Sequence, residues 1–251
     1  MMRPRALLAE AQVALMLLTR LPAGRLPPHP AAPPMAGAAW AFPLVGFVVG
    51  MIGALTLLGA QLVGLPPDIA AGLALAATIL ATGGLHEDGL ADVADGFGGG
   101  RDRAHKLDIM RDSRIGSYGT LALILSVGMR WQLIGALGTA AAPGLVAAAV
   151  LSRGGLPLVM RFLPPAREDG LGRAAGGVST GTALIAAALA LLLALFAAGT
   201  LKTAAALIGT ALALFLVARL AHRQIGGQTG DVLGAAQQAA EIAALLALAA
   251  L

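Results

Sequence analysis

Residues Ala36–Val63 run without a single charged side chain. A helix of about 20 apolar residues crosses a bilayer, and in lipid every backbone amide must be satisfied inside the protein, so such a run belongs to a membrane helix or a closed barrel. Barrel strands alternate apolar and polar residues over about ten positions between aromatic girdles, and no such segments occur here. Six further apolar runs follow. Ile69–Leu85 is entered through the turn Leu65-Pro66-Pro67, and after it come Ser117–Leu137, Leu145–Met160, Thr182–Ala198, Thr203–Val217 and Val232–Leu251. The expected architecture is an all-α, polytopic transmembrane helical bundle of about seven spans, or six if one of the short runs, Leu145–Met160 or Thr203–Val217, fails to cross. Composition agrees: 58% of residues are hydrophobic and 12% charged, against about 25% charged in soluble domains. The apolar mass is Ala, Leu, Gly and Val, and small residues let helices approach closely in lipid.

Ahead of the first span, Arg5–Thr19 is too short to cross and contains Glu10 and Gln12, so it reads as a short N-terminal interfacial helix. A signal peptide is the alternative, but no small-residue cleavage site follows; the chain enters the Pro-rich segment Leu21–Pro34 instead. No long linker divides residues 1–251, which are expected to form one integral membrane domain. The absence of cysteine excludes disulfides, thiolate metal sites and a cysteine nucleophile. A net charge of +4 would suit nucleic acid, but in a membrane chain positive charge reports topology, and no nucleic-acid partner is expected.

Cytoplasmic loops are enriched in Lys and Arg. Placing Thr82–Gly116 in the cytoplasm puts fourteen of the seventeen basic residues on that side and leaves Lys202 outside. Arg130 and Arg153 then stand at membrane depth, where a charge needs a polar interior or a route to the interface. The polar loops 82–116, 162–180 and 219–231 share one face in this arrangement.

Seven of the thirteen acidic residues lie in Thr82–Gly116: Glu87, Asp88, Asp92, Asp95, Asp102, Asp108 and Asp112. Asp88, Asp92 and Asp95 stand at i, i+4 and i+7, on one face of a helix running on from the second span. Like charges so placed repel, and the compensation that hard oxygen ligands suit is Mg²⁺ or Mn²⁺. Asp108 and Asp112 repeat the i, i+4 spacing beyond Gly96–Gly100, so two short helices facing each other could close a site of four or five carboxylates. His86 and Glu87 are extra ligands or supports in that scheme. Gly96, Gly98, Gly99 and Gly100 let backbone amides approach an anion, and Arg101 and Arg103 follow them. Carboxylates for metal beside glycines and arginines for phosphate form the inventory of phosphoryl transfer. The plainer alternative, a solvated loop with i, i+4 salt bridges, stays open for Asp102, Arg103, His105 and Lys106.

Two other polar loops flank spans. In Arg219–Asp231, Gly226, Gly227 and Gly230 permit a tight turn, and Asp231 stands at the expected N-cap of the last span, so capping and ligand binding are both open to it. Arg219, His222 and Arg223 serve equally as topology signals, with His222 as a base the alternative. In Arg161–Ser179, the glycines with Arg167, Glu168, Asp169 and Arg173 suit either a polar ligand or an ordinary loop.

Taken together these residues resemble the cobalamin synthase family, the adenosylcobinamide-GDP ribazoletransferases. The resemblance runs nearly the whole chain: Thr19-Arg20-Leu21-Pro22, Phe42-Pro43-Leu44-Val45-Gly46, the long acidic motif Gly84–Gly96, Ile109-Met110-Arg111-Asp112-Ser113-Arg114-Ile115-Gly116, Arg167-Glu168-Asp169-Gly170-Leu171-Gly172 and Gly226–Ala235. It implies a Mg²⁺-dependent reaction in a bacterial inner membrane, with the active site facing the cytoplasm. The 5′-hydroxyl of α-ribazole, or the hydroxyl of its 5′-phosphate form, displaces GMP from adenosylcobinamide-GDP. Under that implication Asp88, Asp92, Asp95, Asp108 and Asp112 hold the metal. Arg101, Arg111 and Arg114, with Gly98, Gly99 and Asp231, meet the phosphates and substrate, and Asp112 takes the proton, with Asp92 the other catalytic carboxylate. A looser likeness, Asp92-x2-Asp95-Gly96 with Asp108-x3-Asp112, leaves a CDP-alcohol phosphotransferase as an alternative, and a divalent cation transporter is the alternative from another class. Lipid surrounds the bundle, and small-residue helix faces permit oligomers without fixing their number.

Overall fold

The computed structural model describes residues 4–25, 35–168 and 177–251. Within them the chain forms helices α1 Pro4–Leu18, α2 Met35–Ala38, α3 Phe42–Leu62, α4 Pro67–Thr82, α5 Leu85–Gly99, α6 Arg103–Ile109, α7 Ser117–Ala136, α8 Ala141–Phe162, α9 Thr180–Ala198, α10 Thr200–Ile225 and α11 Gly230–Ala249. No strand is present among these residues, and two loops meet in a single bridge, Pro165 to Gln228. Six helices or helix runs are long and apolar enough to cross a membrane, and a seventh span is reached if the bent pair α4–α5 counts as one. The protein is an integral membrane helical bundle. Residue Arg3, most of the Pro-rich segment, Asp169 and Arg173 with the glycines around them fall outside the described residues.

The two runs that looked short in the sequence are complete helices of 22 and 26 residues. Leu145–Met160 reads weakly because α8 is the central helix. Its apolar character is diluted by Ser152, Arg153, Gly154 and Gly155, which face protein rather than lipid, and it is buried along most of its length. Small residues set its contacts: a Cβ on Gly46 of α3 would lie 2.4 Å from the Ala149 carbonyl oxygen, and one on Gly154 would lie 2.3 Å from the Ala190 Cβ of α9. The opposite faces of the outer helices are greasy, as at Leu184, Ile185, Leu192 and Phe196 of α9, in keeping with a lipid environment.

Helix α1 is too short to span; it buries Ala9, Ala14 and Leu18 against the bundle and leaves Leu8 and Met16 exposed. The acidic helix departs from expectation: it does not run on from the preceding span. Gly83 and Gly84 both take left-handed conformations, at φ 68° and 70°, and turn α5 by 87° from α4. Two successive left-handed residues are accessible almost only to glycine, so this bend is written locally.

The polar loops meet at one end of the bundle. Arg103 of α6 donates to the carbonyls of Ile225, 2.8 Å, and Ala166, 2.9 Å. Lys106 bonds Gln224, and Arg167 donates to the Leu107 carbonyl at 2.8 Å. Cations at the last carbonyls of α10 are favourable both as hydrogen-bond donors and against the helix dipole.

Candidate active site

Helix α5 is held on two sides. Against α11, a Cβ on Gly89 would meet the Asp231 carbonyl oxygen at 2.8 Å, so the backbones are nearly in contact and Asp88 and Asp92 are brought beside Asp231. Against α7, the buried Asp95 carboxylate accepts from the amides of Gly116 at 2.7 Å and Gly119 at 2.9 Å. No side chain of α7 itself caps that helix, so Asp95 serves its N-terminus from across the interface, where a negative charge also meets the helix dipole.

The three aspartates therefore do different work. Asp88 is exposed, Asp92 half-buried and Asp95 buried with both oxygens engaged. Asp92 lies in the electrostatic neighbourhood of Asp231, Asp88, Asp95 and Arg167. A cleft of about 890 Å³ opens over this face, lined among others by Arg20, Gly83, Asp88, Asp92, Arg111 and Asp112. A shallower basic pocket of about 590 Å³ lies alongside, with Arg103, Arg111, Arg167 and Glu168 in its wall; Arg111 belongs to both.

Several expected groups stand elsewhere. The two acidic segments do not close a carboxylate cage: among the described residues no three His, Asp or Glu side chains converge as metal ligands, and Asp108 is exposed on α6, outside the cleft wall. Gly98 and Gly99 form the last turn of α5 rather than a phosphate loop, with the Tyr118 ring packed on Gly98. Arg101 is exposed beside Asp102, 3.6 Å away, and Asp102 caps α6 by accepting from the His105 amide at 2.9 Å. Arg114 is exposed and grips Asp112 at 2.6 Å. That guanidinium holds the Asp112 carboxyl down at about 2, which makes it a weak proton acceptor. The cap of the last span is Thr229, whose hydroxyl accepts from the Val232 amide at 3.2 Å and donates to Asp231 at 3.1 Å; Asp231 sits in the first turn, 3.8 Å from Arg167.

Deeper in the bundle is a cluster that sequence reasoning missed. Arg130 of α7 pairs with Glu87 at 2.9 Å and Glu241 at 3.6 Å, and Arg153 of α8 pairs with Glu241 at 3.2 Å. Gln238 donates to Glu87 at 3.2 Å and accepts from Ser126 at 3.0 Å, while Gln237 bonds both Glu241 and Ser152. Two arginines and two glutamates cancel in charge, which answers how Arg130 and Arg153 survive at membrane depth. Glu87 is thus a structural ion-pair partner. The available signal was charge balance: two unexplained arginines call for two acids, and Glu241 is the one acidic residue inside a later span.

A scan against family models matches residues 10–249 to one described as cobalamin-5-phosphate synthase. The chain belongs to that family. Curated relatives named adenosylcobinamide-GDP ribazoletransferase include one from Bradyrhizobium diazoefficiens, 48% identical over 98% of this chain and 95% of its own, and one from Mesorhizobium japonicum, 50% identical over 97% and 93%. A third, from Azorhizobium caulinodans, is 48% identical over 98% of this chain and 97% of its own. No solved structure matches the chain. Nothing in these matches favours a CDP-alcohol phosphotransferase or a cation transporter. For this cobalamin-5-phosphate synthase family member, Arg20 and Arg167 emerge as residues of the site. The first lay in the Thr19–Pro22 motif and the second in the Arg167–Gly172 motif, but neither motif alone says which way its arginine faces.

Proposed function

We propose that this protein is an adenosylcobinamide-GDP ribazoletransferase of a bacterial inner membrane, with its cleft open to the cytoplasm. A free ribose hydroxyl oxygen of α-ribazole, or of its 5′-phosphate, attacks the cobinamide-bearing phosphorus of adenosylcobinamide-GDP. The new P–O bond forms as the anhydride P–O bond breaks, and GMP leaves with that electron pair. The observation supporting this reading is that one cleft holds Asp88 and Asp92 beside Arg20 and Arg111, in a chain whose whole length matches the family.

The donor set fits Mg²⁺. That ion dehydrates reluctantly and is commonly held by one or two carboxylates, with water and substrate phosphate completing its shell, so a three-carboxylate cage is not required. Asp88 and Asp231 would hold it, with Asp92 beside them. Bound there, the metal would neutralise charge on the diphosphate and on the leaving group. Arg20 and Arg111 bind and orient the diphosphate from the cleft wall. Asp92 accepts the hydroxyl proton; we assign this step to it rather than to Asp112 because the Arg114 clamp leaves Asp112 a poor acceptor. Asp95 holds α5 and α7 in register, while Asp108 and Arg101 lie away from the chemistry.

The test is GMP release by purified protein supplied with adenosylcobinamide-GDP, α-ribazole and Mg²⁺. Turnover by the wild type, with Asp92→Asn lowered by about 10²–10⁴-fold, is expected. No release by the wild type, or an Asp92→Asn variant as active as the wild type, would refute the reading.

A further inference from the structure

Away from the cleft, a groove of about 330 Å³ runs between the last turns of α8 and α10, with Phe162, Pro164, Phe215, Arg219 and His222 in its wall. Along α10, Ile208, Leu212, Phe215, Arg219 and His222 recur every three or four residues, so they form one stripe, and all five are exposed. The stripe changes character once, from three apolar side chains to two that donate hydrogen bonds. From Thr200, where α10 starts, to Arg219 is about 30 Å at the helical rise, which is the thickness of a hydrocarbon core. The change therefore falls where acyl chains give way to headgroups. Across the groove α8 ends in the same way: Phe162 is 72% exposed, and the Arg161 guanidinium lies 5.6 Å from the centre of its ring. The Nε–H of Arg161 donates to the Thr180 hydroxyl at 3.0 Å. Among the described residues no acidic side chain pairs with Arg161 or Arg219.

We propose that this groove binds an anionic phospholipid, its phosphate met by Arg161 and Arg219 and an acyl chain laid along Phe215, Leu212 and Ile208. Guanidinium groups hold phosphate through parallel N–H bonds, and cations at the membrane surface attract anionic headgroups. His222 adds an imidazole N–H at the same level. A zwitterionic lipid offers the same phosphate but brings an ammonium to a surface whose cations lack acidic partners. A soluble acidic protein would leave Phe162 and Phe215 unused, because they stand on the hydrocarbon side of the arginines. A second copy inserted in the same direction would set the same cations at the same depth and face like with like. The site is separate from the carboxylates of the cleft and needs only the membrane bundle, not the transferase reading.

Native mass spectrometry of the detergent-purified full chain reads the affinity for the first bound lipid, with phosphatidylglycerol and phosphatidylcholine of identical acyl chains titrated separately. The wild type should bind phosphatidylglycerol about tenfold more tightly than phosphatidylcholine. Arg161→Gln and Arg219→Gln should each weaken phosphatidylglycerol about fivefold and leave phosphatidylcholine unchanged. Phe215→Ala should weaken both lipids, and Lys202→Gln, at the opposite end of α10, should weaken neither. Thermal midpoints without lipid show that each variant is folded, and the comparison of the two lipids on the wild type needs no variant at all. Equal affinity of the wild type for the two lipids overturns the site, as does full phosphatidylglycerol affinity in both arginine variants. A loss in Lys202→Gln as large as in Arg219→Gln would mean diffuse surface charge instead of a groove. Displacement of the lipid by millimolar inorganic phosphate would make it a site for free phosphate. A wild-type dimer that takes up no lipid and dissociates on Phe215→Ala would make the groove a contact between copies, and the lipid site would fall.

Discussion

Arg130→Met is the substitution whose consequence follows most directly from the structure. The arginine is 2% exposed and stands between Glu87 at 2.9 Å and Glu241 at 3.6 Å. At an effective dielectric constant of about 20, unit charges at those separations attract by about 6 and about 5 kcal/mol. Desolvation offsets much of this in the intact cluster. Removing one partner is another matter, because two glutamates then face only Arg153, and breaking a buried pair costs about 3–5 kcal/mol. At about 2–4 °C per kcal/mol for a chain of this size, the thermal midpoint of detergent-purified protein should fall by about 6–20 °C. The double variant Glu87→Gln, Arg130→Met leaves Glu241 with Arg153 and no net charge, and it should recover most of the loss. Differential scanning fluorimetry of wild type, the single variant and the double variant reads both numbers. A single variant as stable as the wild type, or a double variant no better than the single, would refute the account of this cluster as a neutral ion-pair network. Because α5 bears Asp88 and Asp92, GMP release at fixed temperature should follow the same order.

Three further outcomes are expected. Asp95→Ala strips two α7 amides of their acceptor and should cost about 1–3 kcal/mol, visible as a lower thermal midpoint; an unchanged midpoint would remove the cross-helix cap. Gly46→Val places a Cβ 2.4 Å from the Ala149 carbonyl oxygen, so α3 and α8 must separate, and the yield of monodisperse protein should drop sharply where Gly59→Val, with open space around it, leaves it intact. Asp112 is held at about 2 by Arg114; any stability from this clamp is present above the ordinary carboxylate pKa of about 4 and is lost as pH falls through about 2. Arg114→Gln should return Asp112 toward about 4 without moving the acid limb of the GMP-release profile, and a limb that rises by about two units would make Asp112 the base.

The sequence by itself determined the membrane class, the spanning helices and the family, because these depend on local quantities: charge-free length, apolar content and long contiguous motifs. It also put Asp88, Asp92 and Asp95 on one face of a helix, since residues four and seven apart share a face whatever the helix packs on. Tertiary structure decided which members of the acidic stretch meet. Asp95 is turned to the amides of α7, Asp108 is left on the surface, Asp112 is clamped by Arg114, and Asp231, more than 130 positions along the chain, is drawn up to Asp88 and Asp92 by the Gly89 contact. The pairing of Arg130 and Arg153 with Glu87 and Glu241 was equally invisible, since charges on four helices can be matched only once the helices are packed. Spacing along the chain gives the face of one helix; which face of another helix it meets is a property of the whole bundle.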